Sequence, residues 1–360
     1  MIDAFDSISA QAEYLQRHLD SVSRSFAIVI PFLEMPLRHY LATAYLLCRV
    51  VDNIEDCGQP AAWKRRRFAE FAQLLRNPHD ASAILSQWQD ESWPALADQE
   101  RRLMSVAEGL GLWQIYAEMP QSTQETIHRW ASIMAQGMSQ LDDSDARPFF
   151  VQLQGLKVLE TEADYQEYCY FVAGTVGHLA TELVIEQYQL PEKIALTLYT
   201  LAETCGRSLQ KTNIVKDFAV DLRRGICYLP DTWLRDADYA PLALQGAAPA
   251  WKAMVLEDVL GELRAATDYV LALPYSARGY RRASLLCLLP AYQTLYLAAQ
   301  RQDTLYTHEH QIKISRPTMA RCVADSRALL FDNRSLRRYC QVVEDKIHEQ
   351  FDLGLNERTR

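Results

Sequence analysis

The sequence predicts an all-α protein, and three observations carry that expectation. Apolar residues make up 49% of the 360 residues, while glycines number only 13. Ala, Leu, Gln, Glu and Arg, all good helix formers, are plentiful. Apolar positions recur at helical spacing, and no convincing run of alternating strand residues interrupts them. The apolar share is enough for a sizeable core and excludes a disordered chain.

Helical periodicity places helices over residues 3–20, 24–32, 36–54, 60–76, 97–117, 121–141, 161–187, 191–222, 250–272, 276–300, 316–329 and 333–351. Pro191 suits a first helical turn, and Gly225 suits the stop of the long helix before it. The intervening linkers are short: RNPHD (76–80), QDESWP (89–94), DDSDARP (142–148) and LQGAAPA (244–250). With no low-complexity tract and no solenoid repeat, one helical domain over 1–360 is the simplest partition.

A formal net charge of -9 argues against a general nucleic-acid binder. It leaves room for an anionic substrate, because bound divalent cations invert a local field. The eight cysteines form no CxxC pair and read as reduced core thiols, as in a cytosolic protein. The N-terminus has no hydrophobic signal core, and the C-terminal FDLGLNERTR has no anchor. The nearest approach to a membrane span, 283–299, contains Pro290 and Gln293 and reads as a core helix.

The chemistry is carried by two polar stripes. On helix 36–54 and just beyond it, Tyr45, Arg49, Asp52 and Asp56 are spaced by three or four and share one face. On helix 191–222, Gly206, Gln210, Asn213, Asp217 and Asp221 do the same, with Gly206 leaving space beside it. Carboxylates at i and i+4 repel one another unless a cation lies between them. One Asp-x-x-x-Asp pair is common on a solvated helix face, whereas two with matching polar continuations are not. Facing each other, they form a strongly negative pocket suited to Mg²⁺, a hard cation that keeps positions for water and phosphate oxygens. Arg49, Lys211, Lys216, Arg223 and Arg224 are nearby candidates to clamp a diphosphate. The two arginines equally suit a helix C-terminus, where cations offset the macrodipole.

In the stretch 164–184, Tyr168, Val172, Thr175 and Leu179 form a third stripe. Close approach of a ligand and close packing of another helix are equally good reasons for Gly174 and Gly177 there. His308 and His310, in THEHQ, read as a surface turn. Motifs for nucleophilic serine, zinc-protease or Gly-rich phosphate-loop chemistry are absent.

The blocks SVSRSFAIVIPF (21–32), YLLCRVVDNIED (45–56), YCYFVAGTVG (168–177) and LQKTNIVKDFAVDLRRGICYLP (209–230) resemble, in order, the head-to-head trans-isoprenyl synthases, the squalene and phytoene synthases. IKISRPTMARCVADSRALL (312–330) is a weaker echo. The resemblance implies a single isoprenoid-synthase domain, a helical bundle around a central cavity that takes two prenyl diphosphates with Mg²⁺. By the same resemblance, Asp52 and Asp56 form the first aspartate motif and Asp217 and Asp221 the second, with Asn213 as a further metal ligand. Tyr168 and Arg49 are expected to act in catalysis. Ser23, Arg24, Phe26, Tyr45, Val172, Gln210, Asn213, Lys216 and Arg224 are expected to contact substrate. Ser23, Arg24, Lys211, Asn213, Lys313 and Arg316 are expected to contact NADPH.

Within that family, LQKTN and the IKIS stretch resemble the squalene branch, which couples two farnesyl diphosphates through presqualene diphosphate and reduces the product with NADPH. RRGICYLP and AGTVG resemble the bacterial phytoene and dehydrosqualene enzymes, which need no reductant. Leu286 stands where squalene synthases are expected to carry an aromatic. The squalene reading is the expectation, with dehydrosqualene or phytoene synthesis as the alternative. A non-catalytic assembly module is disfavoured by the intact aspartates and Tyr168. The expected setting is cytoplasmic, with peripheral contact at the inner membrane where the apolar product leaves.

Overall fold

A computed structural model describes residues 8–23, 25–141, 148–236 and 238–357, with side chains as far as residue 351. The described residues group into two compact units, the first within Met1–Ala146 and His178–Leu190, the second within Arg147–Gly177 and Pro191–Arg360. The prediction of an all-α chain holds, apart from one small sheet.

In the first unit, α1 (Ile8–Val22) and the short α2 (Phe26–Val29) precede α3 (Leu37–Asp56). Then come α4 (Ala61–Arg76), α5 (Ala81–Gln89), α6 (Asp98–Arg101), α7 (Val106–Ala117) and α8 (Gln121–Leu141). The central element is α3, packed on α1, α4, α7 and α8. Leu46, Leu47, Val50, Val51 and Ile54 are wholly buried, each stabilising the helix position by about 1.5–3 kcal/mol. That burial leaves the polar face of α3 as its only partly open side.

The sequence did not suggest α5, because its flanks, PHD and QDESWP, read as linkers. Its anchor is tertiary. Trp88 is fully buried and donates its indole N–H to Glu70 at 2.6 Å. Arg67, buried against the Trp63 ring at 5.0 Å, bridges Glu70 and Glu91.

The second unit opens with a hairpin, β1 (Phe150–Leu153) and β2 (Leu156–Leu159), turned by Gln154 and Gly155 at φ 53° and 80°. There follow α9 (Glu162–Cys169), a π-helical turn at Tyr170–Gly174, and α10 (Thr175–Tyr188), which passes into the first unit at His178. Next is α11 (Glu192–Arg223), then β3 (Ile226–Cys227), α12 (Asp231–Asp236) and α13 (Pro249–Ala272). The chain closes with α14 (Arg278–Gln300), α15 (Arg316–Ala328) and α16 (Asn333–Glu357). The longest helix, α11, lies along α13 and also packs on the π-helical turn and α14.

The sheet corrects the expectation of no strands. β2 pairs antiparallel with β1 and parallel with β3, with Lys157 opposite Ile226 and Val158 opposite Cys227. The Lys157 N–H also donates to the Gly225 carbonyl at 2.8 Å, so the sheet grips the chain where α11 ends. Gly225 stands there at φ +83°, the left-handed conformation expected of a helix stop.

A second correction concerns membrane spans. Among the described residues, Glu162–Tyr188 is long and apolar enough to cross a membrane by length and composition, where the sequence reading found no such stretch. Its apolarity has an interior use: Tyr165, Cys169, Leu179, Leu183 and Val184 are core residues. Asp164 is buried as well, in a capping box with Thr161 that starts α9. All eight cysteines are free, as expected, and burial pushes the Cys48, Cys205, Cys227 and Cys287 thiols up to about 12.

Candidate active site

The α3 stripe is built as its spacing predicts. Tyr45, Arg49, Asp52 and Asp56 are all half-buried, while Leu46, Leu47, Val50, Val51 and Ile54 on the other faces are sealed in the core. Arg49 donates to the Tyr45 hydroxyl at 3.3 Å and reaches Asp52 at 3.6 Å. The Tyr45 ring in turn meets Phe26 at 4.8 Å. Burial pushes the Asp52 carboxyl up to about 6, against the attraction of Arg49 and with added repulsion from Asp56 and Glu100. A carboxylate so disfavoured in its charged form, one turn from a second carboxylate, fits a divalent cation.

The α11 stripe is equally well formed. Gln210, Asp217 and Asp221 are half-buried and Asn213 is exposed. Lys216 donates to the Asn213 side-chain oxygen at 2.7 Å and lies 3.2 Å from Asp217. The other Asp217 oxygen accepts from the Gln311 amide. Gln311 lies on the irregular stretch before α15 and was not suggested by the sequence, since its partner is far along the chain. That stretch is tied to α11 twice more, by Ile312 N–H to the Lys216 carbonyl at 3.1 Å and by Arg223 to the His308 carbonyl at 2.9 Å. His308 and His310 are exposed, as a surface turn requires.

Tyr168 ends α9 and is buried. Its ring stacks on Tyr228 at 4.5 Å and 16°, and the Gln210 amide approaches its hydroxyl at 3.5 Å. Tyr228 was not among the expected residues, although it lies in the RRGICYLP block. Val172 is half-buried in the π-helical turn, a distortion often found at functional sites.

The glycines of this region serve packing. A Cβ on Gly177 would lie 2.1 Å from the Ala202 carbonyl oxygen, and one on Gly206 at 2.1 Å from that of Ala173. The space beside Gly206 is therefore filled by the π-helical turn. This settles the choice for Gly177 in favour of helix contact, and corrects the expectation that Gly206 leaves space beside it.

Lys211 departs furthest from expectation. It was placed among the reductant contacts, but it lies on another face of α11, wholly buried. Its ammonium is 2.9 Å from both Asp258 and Glu262 of α13 and 5.0 Å from the Tyr165 ring. Arg207 joins the same cluster through Glu262 at 2.9 Å. An ammonium committed to two carboxylates, half-buried Asp258 and buried Glu262, does not fit a cofactor contact. Lys313 and Arg316 are exposed, Arg316 opening α15 next to its Ser315 cap, and they fit an anionic group. Arg224 is exposed at the end of α11. Ser23 accepts the Phe26 N–H at 2.9 Å and so shapes the start of α2. Arg24 lies outside the described residues. Leu286 is a core residue of α14.

Among the described residues no three His, Cys, Asp or Glu side chains cluster as a closed metal cage. Each aspartate pair instead leaves most of a cation's coordination to water or ligand oxygens, which is how Mg²⁺ is commonly held.

Residues 19–318 match the family model described as squalene/phytoene synthase. Squalene synthase ERG9 of Saccharomyces cerevisiae is 29% identical over 323 residues, 86% of this chain, and the chain spans 66% of that protein's length. A solved structure of TcSQS with the ligand BPH1237 superposes at a TM-score of 0.76 and 23% identity, over 95% of this chain and 96% of that one. A dehydrosqualene synthase in complex with a ligand superposes at 0.54 and 19%, over 91% and 99%. At these identities the structural likeness speaks to the fold alone.

Proposed function

The chain belongs to the squalene/phytoene synthase family of prenyltransferases, and from that premise we propose that it couples two farnesyl diphosphates head to head and reduces the product to squalene with NADPH. The supporting observation is the doubled stripe: two half-buried Asp-x-x-x-Asp pairs, one on α3 and one on α11, each continued by polar side chains that can donate to phosphate.

In this reading Asp52 and Asp56 would hold Mg²⁺ at the first pair, and Asp217 and Asp221, with Asn213, at the second. Bound there, the cation supplies charge neutralisation for a departing diphosphate. Arg49 beside the first pair, and Lys216 and Arg224 beside the second, donate to diphosphate oxygens and keep the leaving group from returning. Loss of diphosphate leaves an allylic cation, which the double bond of the second prenyl chain attacks to give a cyclopropylcarbinyl diphosphate. The faces of Phe26 and Tyr45 stabilise positive charge nearby. Tyr168, with its ring plane fixed by Tyr228, relays the proton lost in coupling: its hydroxyl accepts that proton as it passes its own to diphosphate, the final base.

With Lys211 turned into the core, the candidate contacts to the reductant are Lys313 and Arg316. Dehydrosqualene or phytoene synthesis is the second reading, favoured by Leu286 in place of an aromatic. The very apolar product favours release at a membrane surface from a cytoplasmic enzyme. Flotation with liposomes tests this, and protein left wholly in the soluble fraction with and without product counts against it.

The deciding assay incubates the purified chain with farnesyl diphosphate and Mg²⁺, with and without NADPH, and identifies the hydrocarbons by mass. Squalene formed only with NADPH supports the reading. Dehydrosqualene formed regardless of NADPH moves the chain to the second. If neither forms, geranylgeranyl diphosphate is the next substrate, and failure with both overturns the enzymatic reading.

A further inference from the structure

The stretch from Thr307 to Ser315 lies as a strap along the last turns of α11. Three contacts fasten it: the Lys216 carbonyl holds Ile312, Arg223 holds the His308 carbonyl, and Asp217 accepts from Gln311. The first and second use a backbone carbonyl and a guanidinium that no cation displaces. The third uses a carboxylate oxygen of the second aspartate pair. With Lys216 at its other oxygen, Asp217 has both oxygens engaged by N–H donors. A cation at Asp217 shares at least one of them with an N–H donor, whose partial positive charge it repels.

We propose that Gln311 is a sensor of cation loading: binding of a divalent cation at Asp217 expels the Gln311 amide and loosens the strap, which carries Lys313 and leads into Arg316. The inference rests on the cation reading of Asp217 above and goes beyond it, because it makes cation binding and the placement of Lys313 and Arg316 energetically coupled. Coupling of this kind is reciprocal. An anion held by Lys313 and Arg316 away from α11 eases cation binding, and a strap held down by Gln311 resists it.

The test uses the full chain with MgCl₂ and inorganic pyrophosphate, read by calorimetry and by hydrogen exchange of peptides covering 306–315. In the wild type, Mg²⁺ with pyrophosphate is expected to speed exchange across the strap. Gln311→Ala is expected to exchange fast without Mg²⁺ and to bind Mg²⁺-pyrophosphate about three- to tenfold tighter, the worth of one competing hydrogen bond. Gln311→Lys, which adds a charge to the competing group, is expected to bind it more weakly than the wild type. Binding that leaves strap exchange unchanged, or affinities equal in all three proteins, overturns the proposal while leaving the cation reading intact. Failure of the wild type to bind Mg²⁺-pyrophosphate at all overturns both.

Discussion

Gly206 lies so close to Ala173 that any side chain at 206 would collide with backbone: a Cβ there would be 2.1 Å from the Ala173 carbonyl oxygen. The contact seats the π-helical turn, with Val172 on it, against the helix that carries Asp217 and Asp221. Gly206→Ala is expected to cost about 2–3 kcal/mol by overpacking a contact that neither backbone can relax. Gly261→Ala, on an exposed turn of α13 with open space around it, is expected to gain about 1 kcal/mol from helix propensity. Urea melts of the two variants should move in opposite directions.

The aspartates give the functional counterpart. Asp52→Asn and Asp217→Asn are each expected to lower the first condensation by at least about a thousandfold. In metal-free protein near neutral pH, Asp52→Asn is expected to melt no lower than the wild type. The folded-state pKa of Asp52 is raised to about 6, so its ionised form opposes folding there. Wild-type turnover in either variant, measured by product mass, would sink the metal-site assignment.

His18 supplies a pH signature. It is buried, 3.4 Å from Glu108, and burial pulls its pKa down to about 4 even though Glu108 pulls the other way. In the unfolded chain an imidazole titrates near ~6.5. The folded state binds fewer protons between these values, so stability rises with pH across that window. This contribution is fully present above the unfolded value and is lost, by up to about 3 kcal/mol, as pH falls towards the folded one. His18→Gln should flatten that part of the stability profile. Parallel profiles for wild type and variant from about pH 4 to about pH 7 would refute the assignment.

Two lysines from matching blocks should separate cleanly. Lys211→Met leaves Asp258 and Glu262 without the ammonium now 2.9 Å from each, at an expected cost of about 3–5 kcal/mol. Lys313→Ala, on the surface, should leave stability unchanged and raise the KM for NADPH about tenfold, the worth of one charge-assisted hydrogen bond. The KM for farnesyl diphosphate is the internal control. A rise in both constants would mean that Lys313 does not act on the reductant.

What could be read from the sequence divides along a physical line. The stripes were legible because a helix converts spacing into a shared face locally, so Tyr45 through Asp56 and Gln210 through Asp221 needed no tertiary information. Lys211 was misplaced because its partners, Asp258 and Glu262, lie on another helix and leave no trace at helical spacing. Gln311 was missed for the same reason. The hairpin was different: VQLQGLKVL does carry a turn signal at Gln154–Gly155 between short β-rich runs, and strands of four residues are too brief for periodicity to register.

The grip of β2 on Gly225 and β3 also bears on how the protein folds. It closes one long stretch of chain into a ring, and that ring contains Tyr168, the π-helical turn and the whole of α11. The entropy of closing such a ring is lost before any contact inside it is rewarded, so this corner is slow to assemble. Once closed, it holds Tyr168 and the second aspartate pair within one loop of chain. Loss of the four-residue strand β2, remote in sequence from the aspartates, would release them together with Tyr168.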